Sequence, residues 1–432
     1  MKPNLTMDDT RLGTILLENP LMRQEDLERC LEIQTLTGGL RPLGEVLLEE
    51  GVISRETLDE LLAVQASRRA RVRDSLGHEG GDPEVYLRTA AQLGASDLIM
   101  SEGRPVMVRI GGLLRALSES AVRPQDIFEF INTRLGTDAM LAMADHRSVT
   151  RELVAPGIAR GRISTYRHFD GVAAAVHLHP EKIRDPKAAG LPVELVRAVA
   201  SGRGLVLVTG EIGGGLTETL NTLLQVVAGE KGKFIVALDR LFEGAVPICP
   251  AVVARRRVGI DTESFASGLR AAIADAPDAV FLGDVPDVEV LDLALRAAES
   301  GQLVVAALHA RSVVAALERI LCGYPSYDVA RVRNVLAAAL TCVVSLNLVP
   351  NLDATGNVLA TELLAMNDSA REVVRAGTLS QLNLLMRLDG SDCGHSMDDS
   401  LIGLVDDKQI TFEEAFRRAE DKSRLLQQAQ KR

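Results

Sequence analysis

The sequence predicts a multidomain α/β protein: a small helical repeat domain, an α+β domain, a parallel α/β core and a mainly helical C-terminal tail. Three observations carry that expectation. A leucine-rich pattern repeats near the start, a turn-punctuated strand region follows, and after Pro192 short apolar runs alternate with amphipathic stretches. A length of 432 residues suits several domains. With 47% hydrophobic and 25% charged residues the chain can build ordinary cores. With 3% aromatic residues and no Trp, those cores must rest on Leu, Val, Ile and Ala.

The repeat comes first. RLGTILLENPLMRQEDLERCLEIQ begins at Arg11 and PLGEVLLEEGVISRETLDELLAVQ at Pro42, in register at an offset of 31 residues. Leu12, Gly13, Leu16, Leu17, Leu27, Leu31 and Gln34 thereby match Leu43, Gly44, Leu47, Leu48, Leu58, Leu62 and Gln65. Each unit reads as two short helices, with leucines spaced to bury one unit against the other. Ser54 is placed to cap a helix, with Ile53 and Leu58 as the apolar pair on either side. These helices span residues 1–66, and the charged, glycine-bearing stretch 67–82 reads as a linker.

Residues 83–185 read as α+β. YLRTAAQLGA is helical in pattern. SDLIMSEGRPVMVRIGGLLRAL reads as strands joined at Glu102-Gly103 and Gly111-Gly112, and ARGRISTYRHFDGVAAAVHLH as a strand pair turning near Asp170-Gly171. In 186–350 the runs GLVLVTG, KFIVALD, DAVFLGD and QLVVAALHA are fully apolar and separated by helical stretches, the pattern of a parallel sheet. The stretch from Val335 to Val349 is interrupted by Thr and Ser, too broken for the ~20 apolar residues of a membrane span; it reads as a buried helix running into a strand. Residues 351–432 read as mainly helical, with a capping-box pattern at Thr411 and Glu414.

Charge and cysteine usage exclude several functions. A formal charge of −11 (48 basic against 59 acidic residues) disfavours general nucleic-acid binding, and the scarcity of aromatics disfavours base stacking. The five cysteines are scattered with no CxxC, so neither a zinc framework nor a disulfide scaffold is expected, and a reducing cytoplasm fits. MKPNLTMDDT has no basic-then-apolar pattern, so no signal peptide is read.

The most informative chemistry lies in GLVLVTGEIGGGLTETLNTLL. A buried strand ends at Gly210, a glycine-rich turn follows, and a helix begins near Leu216. Backbone N–H groups in such a turn, with a helix N-terminus behind them, can cradle phosphate oxygens. Gly210, Gly215 and Thr217 fit the pattern G-x-x-x-x-G-K-[ST], and Gly213, Gly214 and Glu218 complete the segment, but Leu216 stands at the lysine position. That lysine supplies the mobile charge on the β- and γ-phosphates. A glycine turn with no ligand and a degenerate phosphate site fit this motif equally well. Asp284 closes the run DAVFLGD, where a carboxylate could coordinate magnesium or orient water; a polar residue closing a buried strand is the plain alternative.

The order of these segments resembles the type II and type IV secretion and pilus motor ATPases, most closely the type IV pilus retraction (PilT-like) branch. GASDLIMSEGRPVMVRIGGLLR is similar to that family's opening strand region, GLVLVTGEIGGG to its Walker A loop, RRVGIDTESFASGLRAAIADAPDAVFLGD to the run into Walker B, QLVVAALHARSVVAALERIL to its His box, and GHSMDDSLIGLVDDKQITFEEAFRRAEDKSRLL to its tail. The resemblance implies a PAS-like fold for 83–185 and a RecA-like ATPase core for 186–350. It also implies ATP and magnesium as cofactors, with Thr217 on the metal and Asp239, Asp284 and His309 at catalytic positions. Arg162 and Arg167 fall where the family reaches a neighbouring subunit's nucleotide. A hexameric ring is implied, homomeric or mixed with an active paralogue, working on an inner-membrane platform protein from the cytoplasm or the membrane surface.

The repeat resembles the MshEN-type domain that precedes some of these motors and binds cyclic di-GMP. Arg11, Leu12, Gly13 and Gln34 match its first unit, and Leu43, Gly44 and Gln65 its second; Pro42 takes the second arginine position with Arg41 beside it.

The chain also departs from the motor pattern. Leu216 replaces the Walker A lysine, and Asp284 the Walker B glutamate. Leu238 stands before Asp239 where an acidic pair is usual, Pro286-Asp287 replaces Arg-Asp, and SAREVV lacks the isoleucine and asparagine of the AIRN-type motif. The expectation is therefore a protein with impaired hydrolysis that acts as a ring-forming regulatory or structural component. Two alternatives stay open: an active motor in which Arg203, Arg240 or a neighbouring subunit's arginine replaces the lysine, and a scaffold that binds no nucleotide.

Overall fold

In this computed structural model the described residues are 16, 26, 29, 30, 43–55, 57–59, 61, 83–145, 147–179, 183–211, 213–242, 249–352, 356–388 and 392–430. Two sheets organise them. The first has six antiparallel strands in the order β3-β2-β1-β6-β5-β4: β1 Asp97–Ser101, β2 Pro105–Ile110, β3 Leu113–Ala121, β4 Val149–Ala155, β5 Ala159–His168 and β6 Gly171–His179. Burial alternates along β1, β2 and most of β5, as expected of strands with one face on a core. The helices Pro83–Gln92, Pro124–Leu135 and Thr137–Ala144 cover that face with Leu87, Ile127, Phe130, Ile131 and Met143.

The second sheet has eight strands in the order β14-β13-β12-β7-β11-β10-β8-β9. These are β7 Gly204–Gly210, β8 Phe234–Asp239, β9 Val252–Arg257, β10 Ala279–Leu282, β11 Leu303–His309, β12 Leu340–Pro350, β13 Asn357–Ala365 and β14 Gly394–His395. From β12 to β9 all pairings are parallel; β13 and β14 add antiparallel strands at one edge. The central strands are apolar on both faces because helices cover both. Helices Val193–Ala200 and Leu216–Ala228 lie on the face lined by Val206 and Val208. On the opposite face, lined by Leu205 and Leu207, lie the helices Phe265–Ala274, Val288–Glu299, Val313–Cys322, Val329–Ala339 and Asp368–Ala376.

The helix-into-strand reading of Val335–Val349 matches Val329–Ala339 running into β12. The expected tail differs at its start: 357–365 is a strand, β13, paired with β12 over nine residues, and the helices begin only at Asp368. NVLATELLA carries no strict alternation, and it becomes a strand by pairing with β12. Met397–Asp406, Phe412–Arg418 and Lys422–Gln430 then pack a separate cluster, Leu401, Ile410, Ala415 and Leu425, against Val349 and Ala360. At Thr411 the hydroxyl accepts from Glu414 N at 3.2 Å, while the Glu414 carboxylate pairs with Arg417 and Arg418 instead of closing the box.

Near the start, Leu43–Glu49 is a helix. Leu16 and Leu47, which the repeat matches, are both fully buried in one cluster with Cys30, Val46 and Leu61. Thr57 N donates to Ser54 Oγ at 3.2 Å, the expected cap. Of the residues matched to cyclic di-GMP binding, Arg11, Leu12, Gly13, Gln34, Arg41 and Gln65 lie outside the described residues. Leu43 packs on the Leu16–Leu47 cluster. Gly44 is buried, and a Cβ there would sit 2.8 Å from Leu58 Cδ1, so close packing explains this glycine. Among the described residues no helix is long and apolar enough to cross a membrane.

Candidate functional site

The register of the second sheet lines up the chemistry. Gly210 at the end of β7 pairs with His309 at the end of β11 and with Leu346 on β12. Leu282 on β10 pairs with Ala306 on β11 and Leu238 on β8, so Asp284 and Asp239 lie just past the same edge. This is the carboxyl edge of a parallel sheet, where open α/β sheets place ligands.

The loop from Gly210 to the helix Leu216–Ala228 is shaped by its glycines. Gly213 has φ +79° and Gly215 φ +93°, backbone that side-chain-bearing residues rarely adopt. Gly214 N donates to Glu211 O at 2.9 Å, and a Cβ on Gly214 would lie 2.8 Å from that carbonyl oxygen. Close backbone turns of this kind present N–H groups to an anion. Gly213 and Gly215 thus keep the kind of backbone a phosphate cradle uses, with the Gly214 N–H turned to Glu211 O.

The side chains fit it less well. Leu216 is half-buried against the cluster of Val206, Val208, Leu220 and Leu224, and its Cδ2 lies 3.7 Å from where a Cβ on Gly210 would stand. It folds back on the strand end as an apolar residue should. Two loop residues add negative charge. Glu211 pairs with Arg311, Oε1 to Nε 2.9 Å, and Glu218 in the first helical turn faces Arg184 Nε at 3.2 Å. Both arginines are therefore engaged by the loop's own carboxylates.

Neither arginine expected to replace the lysine is near. Arg203 precedes β7 at the opposite edge of the sheet, where its carbonyl accepts from Thr341 Oγ1 at 3.4 Å. Arg240 follows β8, three strands away or roughly 14 Å, and its guanidinium lies over the Phe265 ring at 5.7 Å. Arg311 and Arg184 escaped the sequence reading because only the fold brings them to the loop. Glu211 was visible as an acidic residue inside a phosphate pattern.

Asp239 Oδ1 accepts from Arg240 N at 2.7 Å. Its carboxylate lies against Gly283, where any Cβ would overlap it, so the residue before Asp284 must be small. The two carboxylate-bearing strand ends thus sit side by side. His309 is exposed, and its carbonyl accepts from Arg319. Ser312 caps the next helix by accepting from Ala315 N at 3.1 Å. Among the described residues no group of three or more His, Cys, Asp or Glu could hold a metal ion.

The first sheet carries Arg162 and Arg167, both on β5 and five residues apart. They point to opposite faces, Arg162 sharing its face with Arg160 and Tyr166. Across the sheet Glu152, Arg162, His177, Asp97 and Arg109 form one row. Asp97 accepts from Ser96 Oγ (2.8 Å) and Arg109 Nε (3.1 Å) and bonds His177 Nδ1 (2.9 Å). Burial works to raise its carboxyl, but the hydrogen bonds from His177 and Ser96 and the charge of Arg109 leave it below the ordinary range. On β9, burial draws the Arg255 guanidinium below its ordinary value while Glu152, Arg160 and Asp239 act on it. Arg255 also covers the Phe242 ring at 4.2 Å. Arg160 and Glu152 of the first sheet thus lie within electrostatic reach of Arg255 on the second.

Comparison with known proteins agrees with this architecture. The family described as "Type II/IV secretion system protein" matches residues 88–427. The "Type IV pilus retractation ATPase PilT" of Pseudomonas aeruginosa is 29% identical over 338 residues, covering 78% of this chain and 98% of that protein. The "Type IV pilus ATPase PilU" of the same organism is 27% identical over 342 residues, covering 79% and 90%. Among solved structures, that of the pilus retraction motor PilT with bound ADP is similar at a TM-score of 0.68 and 31% identity, covering 79% of this chain and 98% of that one.

Proposed function

Because the chain belongs to the type II/IV secretion system protein family, in its PilT-like branch, we propose that it is a ring-forming regulatory or structural component of a type IV pilus or type II secretion-type machine with impaired nucleotide hydrolysis. One observation carries the proposal. Leu216 folds onto β7 where the phosphate-facing ammonium belongs, and the arginines ion-paired at this loop, Arg311 and Arg184, are matched to Glu211 and Glu218. Losing one well-placed donor to transition-state charge costs about 10²–10³ in rate. Asp284, one methylene shorter than glutamate, withdraws its carboxylate as well, and misplacement by about 1 Å can cost on the order of 10²-fold. Effects within one site do not multiply. The glycine turn survives, so weak ATP–magnesium binding remains compatible with the site.

The ring is a hexamer, homomeric or shared with an active paralogue, at the cytoplasmic face of an inner-membrane platform. Arg162 and Arg167 serve the neighbouring subunit. The N-terminal repeat responds to cyclic di-GMP. A second reading, an active hexameric motor, gains support from Arg311: its Nε is 2.9 Å from Glu211, so it could turn from that carboxylate to a phosphate. Calorimetric titration of the purified full chain with ATP–magnesium and with cyclic di-GMP, alongside light scattering for the assembly mass, tests the proposal. Heat from cyclic di-GMP, weak heat from ATP and a ring mass are expected. Heat from neither ligand would leave only a scaffold.

A further inference from the structure

A buried polar row lies directly under the loop that carries His309 and Arg311. Thr209 on β7 pairs with Ser345 on β12, and Ser345 pairs with Glu362 on β13. All three are at most 3% exposed, on the face otherwise filled by Leu207, Val343 and Leu364. Polar groups in such a layer need partners, and two of the three take theirs from the loop above. Ser345 Oγ donates to Arg311 O at 3.2 Å, and Glu362 Oε2 accepts from Val313 N at 2.8 Å, the first residue of the helix Val313–Cys322. Two adjacent strands thus hold the loop from beneath.

Glu362 also faces the tail. Asp398, 1% exposed in the helix Met397–Asp406, accepts from Glu420 N (2.9 Å), Asp421 N (3.1 Å) and Arg387 Nη2 (3.4 Å). Arg387 further reaches Glu420 at 3.9 Å and Asp421 at 3.8 Å. Burial raises the Glu362 carboxyl to about 7. The Val313 N–H and Arg387 oppose that rise, and Glu420 and Asp398 add to it. The same arginine thus acts on Glu362 while bound to the carboxylate that ties down the tail. His395 on β14, bonded to Thr361 Oγ1 at 2.9 Å, and His309 at the head of the loop are the nearby histidines.

Resting on the reading of that loop as part of the nucleotide site, we propose that Glu362 is its positioning residue and that the C-terminal helices act on the site through it. Charged, Glu362 accepts from Val313 more strongly than when neutral, and Arg387 offsets the cost of burying that charge while Asp398, Glu420 and Asp421 draw on Arg387. A tail that shifts Arg387 therefore tightens or loosens the segment from His309 to Ser312.

Hydrogen exchange of the 309–315 amides in the full chain, corrected for intrinsic rates, tests this without nucleotide or turnover. The Val313 N–H pulls the Glu362 carboxyl down, so opening the loop while β13 stays in place lets the carboxyl rise further, and ionisation near pH 7 tightens the closed loop. The loop should therefore exchange more slowly at pH 8 than at pH 6, by at most tenfold per pH unit. Glu362→Gln should remove that slope and leave the loop as protected at pH 8 as at pH 6. Arg387→Gln, stripping the compensating cation, should move the transition to higher pH. His309→Ala should keep it. A flat profile in the natural protein, or a slope that survives Glu362→Gln, overturns the proposal. Should Glu362→Gln fail to fold, a transition left at the same pH in Arg387→Gln overturns it equally. None of these outcomes bears on whether ATP binds, so failure here and failure of the nucleotide reading are told apart.

Discussion

Returning a lysine to position 216 is the sharpest probe of the phosphate loop. The backbone is already turned for it: Gly213 and Gly215 keep positive φ, Gly214 stays close to Glu211 O, and the helix starts at 216. Leu216 is only half-buried, so its replacement should cost about 1 kcal/mol of apolar burial and leave the fold intact. A hydrogen bond from a charged donor to phosphate contributes about 1.5–3 kcal/mol net, or roughly 10- to 150-fold in dissociation constant. Glu211 and Glu218 share the loop and pull towards the lower end of that range. Fluorescence titration with a labelled ADP, with and without magnesium, reads the change. Leu216→Lys should bind at least tenfold more tightly than the natural chain, and Leu216→Ala no more tightly. Equal affinities for the lysine and alanine variants would refute the idea that an intact cradle lacks only its cation.

Other consequences are equally direct. Glu211→Gln releases Arg311 from an exposed ion pair worth at most about 1 kcal/mol, so nucleotide affinity should rise by less than tenfold in the same titration. Gly214→Ala places a Cβ against the Glu211 backbone and forces the loop to shift, so any residual nucleotide binding should vanish and the melting temperature should fall. Global stability should carry the signature of Glu362. Its carboxyl sits at about 7 in the native state against an ordinary 4.5, so it favours the native state below 4.5, and that advantage is lost as pH rises through 7. Urea unfolding at pH 5 and pH 8 should differ by up to about 3 kcal/mol from this group, and Glu362→Gln should remove that share. Gly283→Ala should displace Asp239 and lower the melting temperature, because a Cβ there overlaps the carboxylate.

The sequence showed most of the fold because its signals were local. Alternation marked β1 and β2, unbroken apolar runs marked β7, β8, β10 and β11, and the turns at Glu102-Gly103 and Asp170-Gly171 fell where the chain reverses. β13 was hidden inside an apparent helical tail because its role is set by pairing with β12, which no local pattern reveals. β9 was missed because VVARRR is half polar and sits at a sheet edge. At the site, Gly210 and Asp284 were legible as the ends of apolar runs, and Asp239 and His309 through the family resemblance. The groups that decide the loop's electrostatics were not. Arg311, Arg184 and the buried Glu362 come from segments distant in sequence and meet the loop only through sheet register and chain crossing.

Magnesium-dependent phosphate release from ATP by the purified full-length chain tests the central claim most directly. Turnover indistinguishable from that of Leu216→Ala is the expected result. Sustained release well above that control, abolished by Asp284→Ala, would contradict it and make this chain a working motor.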